Sequence, residues 1–150
     1  MNEKTSFLKN KIDFTSPNKN IIPVTTEIDA NDTLSIGGCS IQDLVKKYDS
    51  PLYILDEITL RNSCQAYKKA LDKYYPGLSL PIYASKANSS LFMSNLISSE
   101  GFGLDAVSEG ELLTAIKGGV PSSKIIFHGN NKSDRELEFA VKNKIKVVVD

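Results

Sequence analysis

Short apolar segments alternate with segments of helical spacing along the chain from residue 80 onward. The apolar runs predict strands at 80–84, 103–107, 124–128 and 145–149. The intervening segments predict helices that end near Gly101, Gly118 and Asn143. Alternation at this rate indicates parallel strands joined by helical crossovers. The strands are almost wholly apolar, which is typical of strands buried on both faces.

The pattern before residue 57 is less regular. Residues 1 to about 32 carry scattered proline and asparagine and predict a loose arm. A short strand is predicted at 34–36, where Gly37-Gly38 ends it. Ser40 is predicted to cap a helix over 41–47 that turns Leu44 and Val45 inward.

Two further elements lead from this region into the alternating part. Ser50-Pro51 ends the first helix, and the apolar run 52–55 predicts a strand. Asp56 is predicted to cap a long helix that ends before Pro76-Gly77.

The fold class predicted from this order is α/β with about four parallel strands. Such a pattern fits a (β/α)₈ barrel or a doubly wound open sheet. Four strands cannot close a barrel, and Val147–Asp150 ends the chain in or just after a strand. We therefore expect a fragment of a larger fold, with a small complete α/β sheet as the alternative.

Charge and composition exclude several classes of function. Lys plus Arg equals Asp plus Glu at 18 each, which removes the basic excess typical of nucleic-acid binders. No apolar run is long enough to span a bilayer, and no signal-peptide core follows Met1, so we expect a cytoplasmic protein without a membrane partner. Cys39 and Cys64 are expected as reduced thiols, and a single histidine argues against a metal site.

Lys86 is the first candidate for chemistry. It lies in Tyr83–Asn88, at the carboxyl end of the strand predicted at 80–84. In a barrel that end is the active-site face. An amine beside an apolar core is less easily charged and is available as a nucleophile toward an aldehyde. The alternative is a solvated charge at the end of a strand.

Asp105 stands within the otherwise apolar strand predicted at 103–107. A charged carboxylate in such a strand needs a partner, and Lys86 on the adjacent strand is the nearest candidate. The alternative is an edge carboxylate that faces solvent.

Two pairs have the spacing of a capping box, Ser108 with Glu111 and Ser133 with Glu136. Helix capping explains both pairs without a catalytic role. Glu111 is also a candidate to pair with a cation at the site.

The loop His128–Lys132 follows the third predicted strand at the same end as Lys86. Its side chains suit contact with a ring, a phosphate or a carboxylate, and the alternative is a polar turn. Gly101–Ala106 matches a dinucleotide fingerprint in letters only, because a helix precedes it and a strand follows.

Three segments together resemble a known family. Tyr83–Asn88, Gly103–Leu112 and Ile126–Ser133 resemble successive strand-end motifs of the fold-type III pyridoxal phosphate (PLP) decarboxylases, most closely the diaminopimelate decarboxylase branch. Ser50–Asp56 resembles the segment that leads into that family's barrel. The resemblance implies an arm and part of a β-domain in residues 1–56. Residues 57–150 would form the first half of an alanine-racemase-like (β/α)₈ TIM-type barrel.

The resemblance also implies a function, the decarboxylation of meso-2,6-diaminopimelate to L-lysine and CO₂. Lys86 would hold pyridoxal 5'-phosphate through a Schiff base, with Asp105, Glu111 and His128 near the cofactor. The whole enzyme would be a homodimer acting on a small amino-acid substrate. The alternatives are an ornithine or arginine decarboxylase, an amino-acid racemase, and a non-catalytic PLP-binding protein.

The family's phosphate-binding loop and substrate-binding arginines would lie beyond residue 150. The chain by itself is therefore expected to fold poorly and to lack decarboxylase activity.

Overall fold

The computed structural model describes residues 21–149, so most of the predicted arm lies outside the described residues. Contacts between Cα atoms divide the chain into two compact units, Met1–Ser63 and Cys64–Asp150. The domain boundary after residue 56 stays a prediction.

The first unit holds a three-stranded antiparallel sheet in the order β1-β2-β3. Its strands are β1 (Glu27–Ile28), β2 (Leu34–Ile36) and β3 (Cys39–Ser40). Gly37 and Gly38 adopt φ values of +60° and +75° in the turn between β2 and β3. Glycine adopts these values without steric cost, and the predicted strand at 34–36 is confirmed.

Side chains cap the two helices that follow. The Ser40 hydroxyl accepts a hydrogen bond from the Asp43 N–H at the start of α1 (Ile41–Tyr48). The Asp56 carboxylate accepts from the Thr59 N–H, 3.0 Å away, at the start of α2 (Glu57–Tyr74). Both predicted helices are confirmed.

The predicted inner face of α1 is only partly correct. Leu44 is half-buried, but Val45 is 39% exposed. The helix is eight residues long and packs against the short strands β2 and β3, which cover a narrow stripe of its surface.

The strand predicted at 52–55 is wrong. Within the described residues this segment belongs to neither sheet. Tyr53, Ile54 and Leu55 are all exposed, so no strand or helix covers the apolar run. An apolar pattern shows that a segment can be buried, but a strand also needs a neighbour to accept its hydrogen bonds.

The second unit contains a parallel sheet in the order β4-β5-β6-β7. The strands are shorter by one to three residues than the runs that predicted them, but their existence and parallel direction are confirmed. The sheet alternates with three helices. The elements are β4 (Ile82–Ala84), α3 (Leu91–Ser99), β5 (Gly103–Ala106), α4 (Glu109–Lys117), β6 (Ile125–Phe127), α5 (Asp134–Lys142) and β7 (Lys146–Val147).

The main core lies between one face of this sheet and the helices. It consists of fully or almost fully buried apolar side chains from strands, helices and the turns between them. They are Leu104, Ala106, Leu112, Ala115, Val120, Ile125, Phe127, Ala140 and Ile145. Because side chains alternate along a strand, Asp105 and Ile126 point to the opposite face.

That opposite face is more open than predicted. Ile82 is 40% exposed, Ala84 and Lys146 are exposed, and Asp105 and Ile126 are half-buried. The prediction that the strands are buried on both faces is therefore wrong for the described residues. Among residues 21–149 the helices cover one face of the sheet, and the other face is accessible.

Gly101 and Gly103 have structural roles between α3 and β5. Gly101 adopts φ +85° just after α3, and Gly103 begins β5. The order is helix, then glycine pair, then strand, which is the reverse of a dinucleotide-binding turn. No helix in the described part of the chain is both long and apolar enough to cross a membrane.

Candidate active site

The three motifs lie at the carboxyl ends of three neighbouring strands. Ala84, Asp105 and Ile126 occupy the same level across β4, β5 and β6. Lys86 follows Ala84 by two residues, and His128 follows Ile126 by two. The parallel sheet therefore brings Lys86, Asp105 and His128 to one edge, which is the edge that carries ligands in α/β sheets.

Hydrogen bonds shape the turn that carries Lys86. Ser85–Ala87 form one turn of 3₁₀ helix directly after β4. The Tyr83 hydroxyl donates to the Asn88 carbonyl oxygen at 3.3 Å, and the Asn88 side-chain oxygen accepts from the Ser90 N–H at 3.0 Å. Burial raises the pKa of Tyr83, so its hydroxyl remains a donor at neutral pH.

Lys86 itself is exposed, which corrects the prediction that its amine lies against an apolar core. The 3₁₀ turn carries Lys86 beyond the end of the sheet and turns Ser85 inward instead. Ser85 is 2% exposed, and its hydroxyl has no hydrogen-bond partner among residues 21–149.

Asp105 does not pair with Lys86 within the described structure. Its neighbour in the register is Ala84, and Lys86 has already left the strand direction. The Asp105 Oδ1 atom is buried and accepts no hydrogen bond from any described residue. A buried carboxylate oxygen without a donor is costly, so this atom is suited to a donor from outside the described residues.

Glu111 corrects the prediction of a capping box with Ser108. The Ser108 hydroxyl accepts from the Glu111 N–H at 3.3 Å, so half of the box is present. The Glu111 carboxylate instead accepts from the Val107 N–H at 2.6 Å, one residue before the cap. This bond holds the carboxylate against the end of β5, close in sequence to Asp105.

Hydrogen bonds hold both ends of the loop His128–Lys132. The His128 N–H donates to the Ala106 carbonyl oxygen at 2.8 Å, while the His128 side chain is exposed. Gly129 adopts φ +99°, and the Lys132 ammonium donates to its carbonyl oxygen. Lys132 also lies 5.9 Å from the centre of the Phe127 ring, within range of a cation–π contact.

The sequence analysis missed a cluster of side chains that joins the starts of α4 and α5. The Glu136 carboxylate accepts from the Ser133 N–H at 3.0 Å, the Ser133 hydroxyl at 2.8 Å and the Glu109 N–H at 3.1 Å. Arg135 Nη2 donates a hydrogen bond to Glu109 Oε1 at 3.0 Å, and Arg135 Nε forms an ion pair with Glu109 Oε2 at 2.9 Å. We call Glu109, Ser133, Arg135 and Glu136 the helix-start clamp.

Only half of this clamp had a signal in the sequence. The capping box of Ser133 with Glu136 is local and is confirmed. Glu109 and Arg135 are 26 residues apart, and no spacing rule pairs side chains at that separation. Among residues 21–149, no three His, Cys, Asp or Glu side chains are grouped to hold a metal ion.

The clamp predicts a dependence of stability on acid. Hydrogen bonds from the Ser133 backbone and hydroxyl, and then from the Glu109 backbone, lower the pKa of Glu136 below its ordinary 4.5. Because the folded pKa is the lower one, the charged form stabilises the fold above pH 4.5, and this contribution is lost as pH falls through the folded value. We expect Glu136→Gln to remove this component of the acid dependence.

Urea unfolding at a series of pH values from neutral to about pH 3 measures this component. Glu138→Gln is the matched control, because Glu138 is an exposed carboxylate on the same helix. A gap between wild type and Glu136→Gln that is constant across the whole pH range would contradict the prediction.

Comparison with known proteins identifies the family. Residues 57–150 match the family model described as pyridoxal-dependent decarboxylase, pyridoxal binding domain. The chain belongs to this family. The match covers the whole parallel sheet together with the three strand-end motifs.

Individual relatives point to one branch of the family. A diaminopimelate decarboxylase from Synechocystis sp. is 46% identical over 143 residues, which is 90% of this chain and 30% of the relative. A diaminopimelate decarboxylase structure from M. jannaschi superposes with a TM-score of 0.79 at 32% identity, over 85% of this chain and 30% of that one. A second structure of the M. jannaschi enzyme contains L-lysine.

A third relative belongs to a different branch. A lysine/ornithine decarboxylase from Vibrio vulnificus, complexed with putrescine, superposes with a TM-score of 0.64 at 28% identity. The superposition covers 73% of this chain and 29% of the Vibrio vulnificus chain. The chain therefore spans about 30% of the length of the relatives it matches.

These matches decide between the architectures that the sequence left open. The parallel strands correspond to the N-terminal part of the family's barrel, and not to a doubly wound or complete small sheet. The residues at the strand ends also fit pyridoxal phosphate, the family's cofactor. An exposed amine suits its aldehyde, and a buried carboxylate oxygen without a donor suits a cationic or hydrogen-bond-donating group.

Proposed function

We propose that this chain is the N-terminal part of a PLP-dependent diaminopimelate decarboxylase, which converts meso-2,6-diaminopimelate to L-lysine and CO₂. The observation that carries the proposal is the arrangement of Lys86, Asp105 and His128 at one edge of the parallel sheet, in a chain of this family. The identity of 46% with the Synechocystis enzyme supports the diaminopimelate branch.

Lys86 is proposed to hold the cofactor. Its amine is exposed at the carboxyl end of β4, where it can reach an aldehyde carbon without displacing core side chains. When bound, pyridoxal phosphate supplies an electron sink for the charge left on the substrate carbon as CO₂ departs. Once released from the cofactor, Lys86 Nζ is placed to deliver a proton to the substrate as a general acid.

Two carboxylates and one imidazole complete the proposed site. Asp105 Oδ1 is buried with no donor from the described residues, so it can accept a hydrogen bond or an ion pair from the bound cofactor or from Lys86. The bond of Glu111 to the Val107 N–H keeps its negative charge at the same strand end. The exposed His128 side chain at the end of β6 is proposed to contact the cofactor.

The complete protein is proposed to be a cytoplasmic homodimer. Residues 1–56 would form an arm and part of a β-domain, and residues 57–150 the first half of the barrel. The short antiparallel sheet in the first unit supports the β-domain assignment. Light scattering of the full-length protein measures the oligomeric state.

A lysine/ornithine-type decarboxylase is the second candidate, and the likeness to the Vibrio vulnificus enzyme favours it. Both candidates use the same lysine and the same cofactor. They differ in the substrate group distant from the carboxylate that is lost, so a direct comparison of substrates separates them.

The test uses the full-length protein that contains this chain. Sodium borohydride reduces the bond between a lysine amine and PLP, and peptide mapping then locates the label. We expect the label on Lys86 and lysine release from meso-diaminopimelate. A label on another lysine would refute the proposed site. Faster turnover of ornithine or arginine than of meso-diaminopimelate would refute the proposed substrate. A label without release of CO₂ would indicate a racemase or a non-catalytic binder.

A further inference from the structure

The helix-start clamp is formed by the first residues of the two helices that follow loops of the proposed site. Glu109 is the first residue of α4, two residues before Glu111 and four after Asp105. Ser133 caps α5 and directly follows the loop His128–Lys132. The clamp therefore connects the loop after β5 with the loop after β6.

Two hydrogen bonds join the helix starts, and α5 is the acceptor in one and the donor in the other. Glu136 on α5 accepts from the backbone N–H at the start of α4, and Arg135 on α5 donates to the side chain of Glu109. Arg135 contacts both oxygens of the Glu109 carboxylate, one through a hydrogen bond and one as an ion pair, and a contact at two points constrains how the two helix starts are oriented.

The exposure of the ion pair suggests a role beyond stability of the fold. The Arg135 side chain is 82% exposed and that of Glu109 is 22% exposed. Ion pairs at such exposure contribute little to the free energy of folding. Their two-point geometry does, however, specify where each helix begins relative to the other. A second group depends on the same turn, because the Glu111 carboxylate is held on the Val107 N–H.

We propose that Glu109, Arg135 and Glu136 are positioning residues, which fix the loops after β5 and β6 relative to each other and so set the electrostatic surroundings of the cofactor. This inference rests on the proposed function. The three residues act through Asp105, Glu111 and the His128 loop, since their own contacts are with the helix starts. Without the clamp, the loops after β5 and β6 are less constrained relative to each other, and the carboxylates are held less precisely toward the cofactor.

A charge swap in the full-length protein tests this role. The variants are Glu109→Arg, Arg135→Glu and the double variant, which restores an ion pair with its charges exchanged. Glu138→Arg is the matched control, with the same charge change at an exposed position of α5. Arg135→Lys is a milder variant that keeps the charge and loses the fork, in case a reversal prevents folding. Three quantities are measured: the dissociation constant for PLP, the pH midpoint of its absorbance change when bound, and the melting temperature.

Each single reversal is expected to weaken PLP binding about fivefold, the size of a well-oriented surface ion pair, and to shift the pH midpoint. The double variant should recover most of both effects, Arg135→Lys should lie between, and Glu138→Arg should match wild type. The inference is overturned if the single variants lower only the melting temperature, or if the double variant recovers neither cofactor property.

The borohydride label on the wild type separates this inference from the proposed function. If the wild type is labelled on Lys86 and the clamp variants behave like Glu138→Arg, only the role of the clamp is refuted. An unlabelled wild type sinks the proposed function and the inference together.

Discussion

Lys86→Arg is expected to abolish the borohydride label and to slow lysine release about a thousandfold in the full-length protein, within the range for loss of an acid–base group. Arginine keeps the positive charge at the exposed turn after β4 but remains protonated, so it supplies no nucleophilic amine. Because Lys86 lies outside the core, the variant should fold like the wild type.

The measurements are peptide mapping after reduction and a time course of lysine and CO₂ release. Lys117→Arg is the matched control, since Lys117 is an exposed lysine in the last turn of α4. It should keep both the label on Lys86 and the wild-type rate. If Lys86→Arg retains the label or more than a tenth of the activity, another lysine holds the cofactor.

Gly103→Ala is expected to destabilise the second unit strongly. A Cβ atom on Gly103 would lie 2.4 Å from the Lys124 carbonyl oxygen and 2.5 Å from Ile82 Cδ1. The isoleucine end can move, but the carbonyl belongs to the backbone beside β6. Forcing extra volume into such a site costs about 1–3 kcal/mol or more of the free energy of unfolding.

Gly110→Ala is expected to change the free energy of unfolding in the opposite direction. Gly110 is exposed within α4, and the nearest atom to an added Cβ is the Ser108 hydroxyl at 4.0 Å. Alanine is the better helix former by up to about 1 kcal/mol, so this variant should be more stable than wild type. Chemical denaturation of both variants measures the difference. Equal stabilities of the two variants would contradict the predicted difference between the two positions.

Local signals predicted most of the elements because their causes lie within a few residues. Ser40 caps α1 and Ser133 caps α5 through bonds that reach only three residues along the chain. The strand–helix rhythm predicted that the strands are parallel for a similar reason, since short helical crossovers return the chain in the same direction, while the order β4-β5-β6-β7 came from the structure.

The predictions that failed all depended on which residues surround a segment in the tertiary structure. The run 52–55 has the composition of a strand but no strand to pair with among the described residues. Lys86 was expected against the core, but the 3₁₀ turn exposes it and buries Ser85. Glu111 has the spacing of a capping box, but its carboxylate bonds to Val107.

The sequence by itself determined the α/β class, the parallel direction of the strands and the placement of Lys86, Asp105 and His128 at strand ends, where the family resemblance could be seen. These features follow from periodicity and local capping. Only the tertiary structure decided which face of the sheet is covered, that Asp105 Oδ1 is buried without a described donor, and that Glu109 meets Arg135. Such contacts join residues far apart in the chain, and their geometry depends on how the helices pack against the sheet.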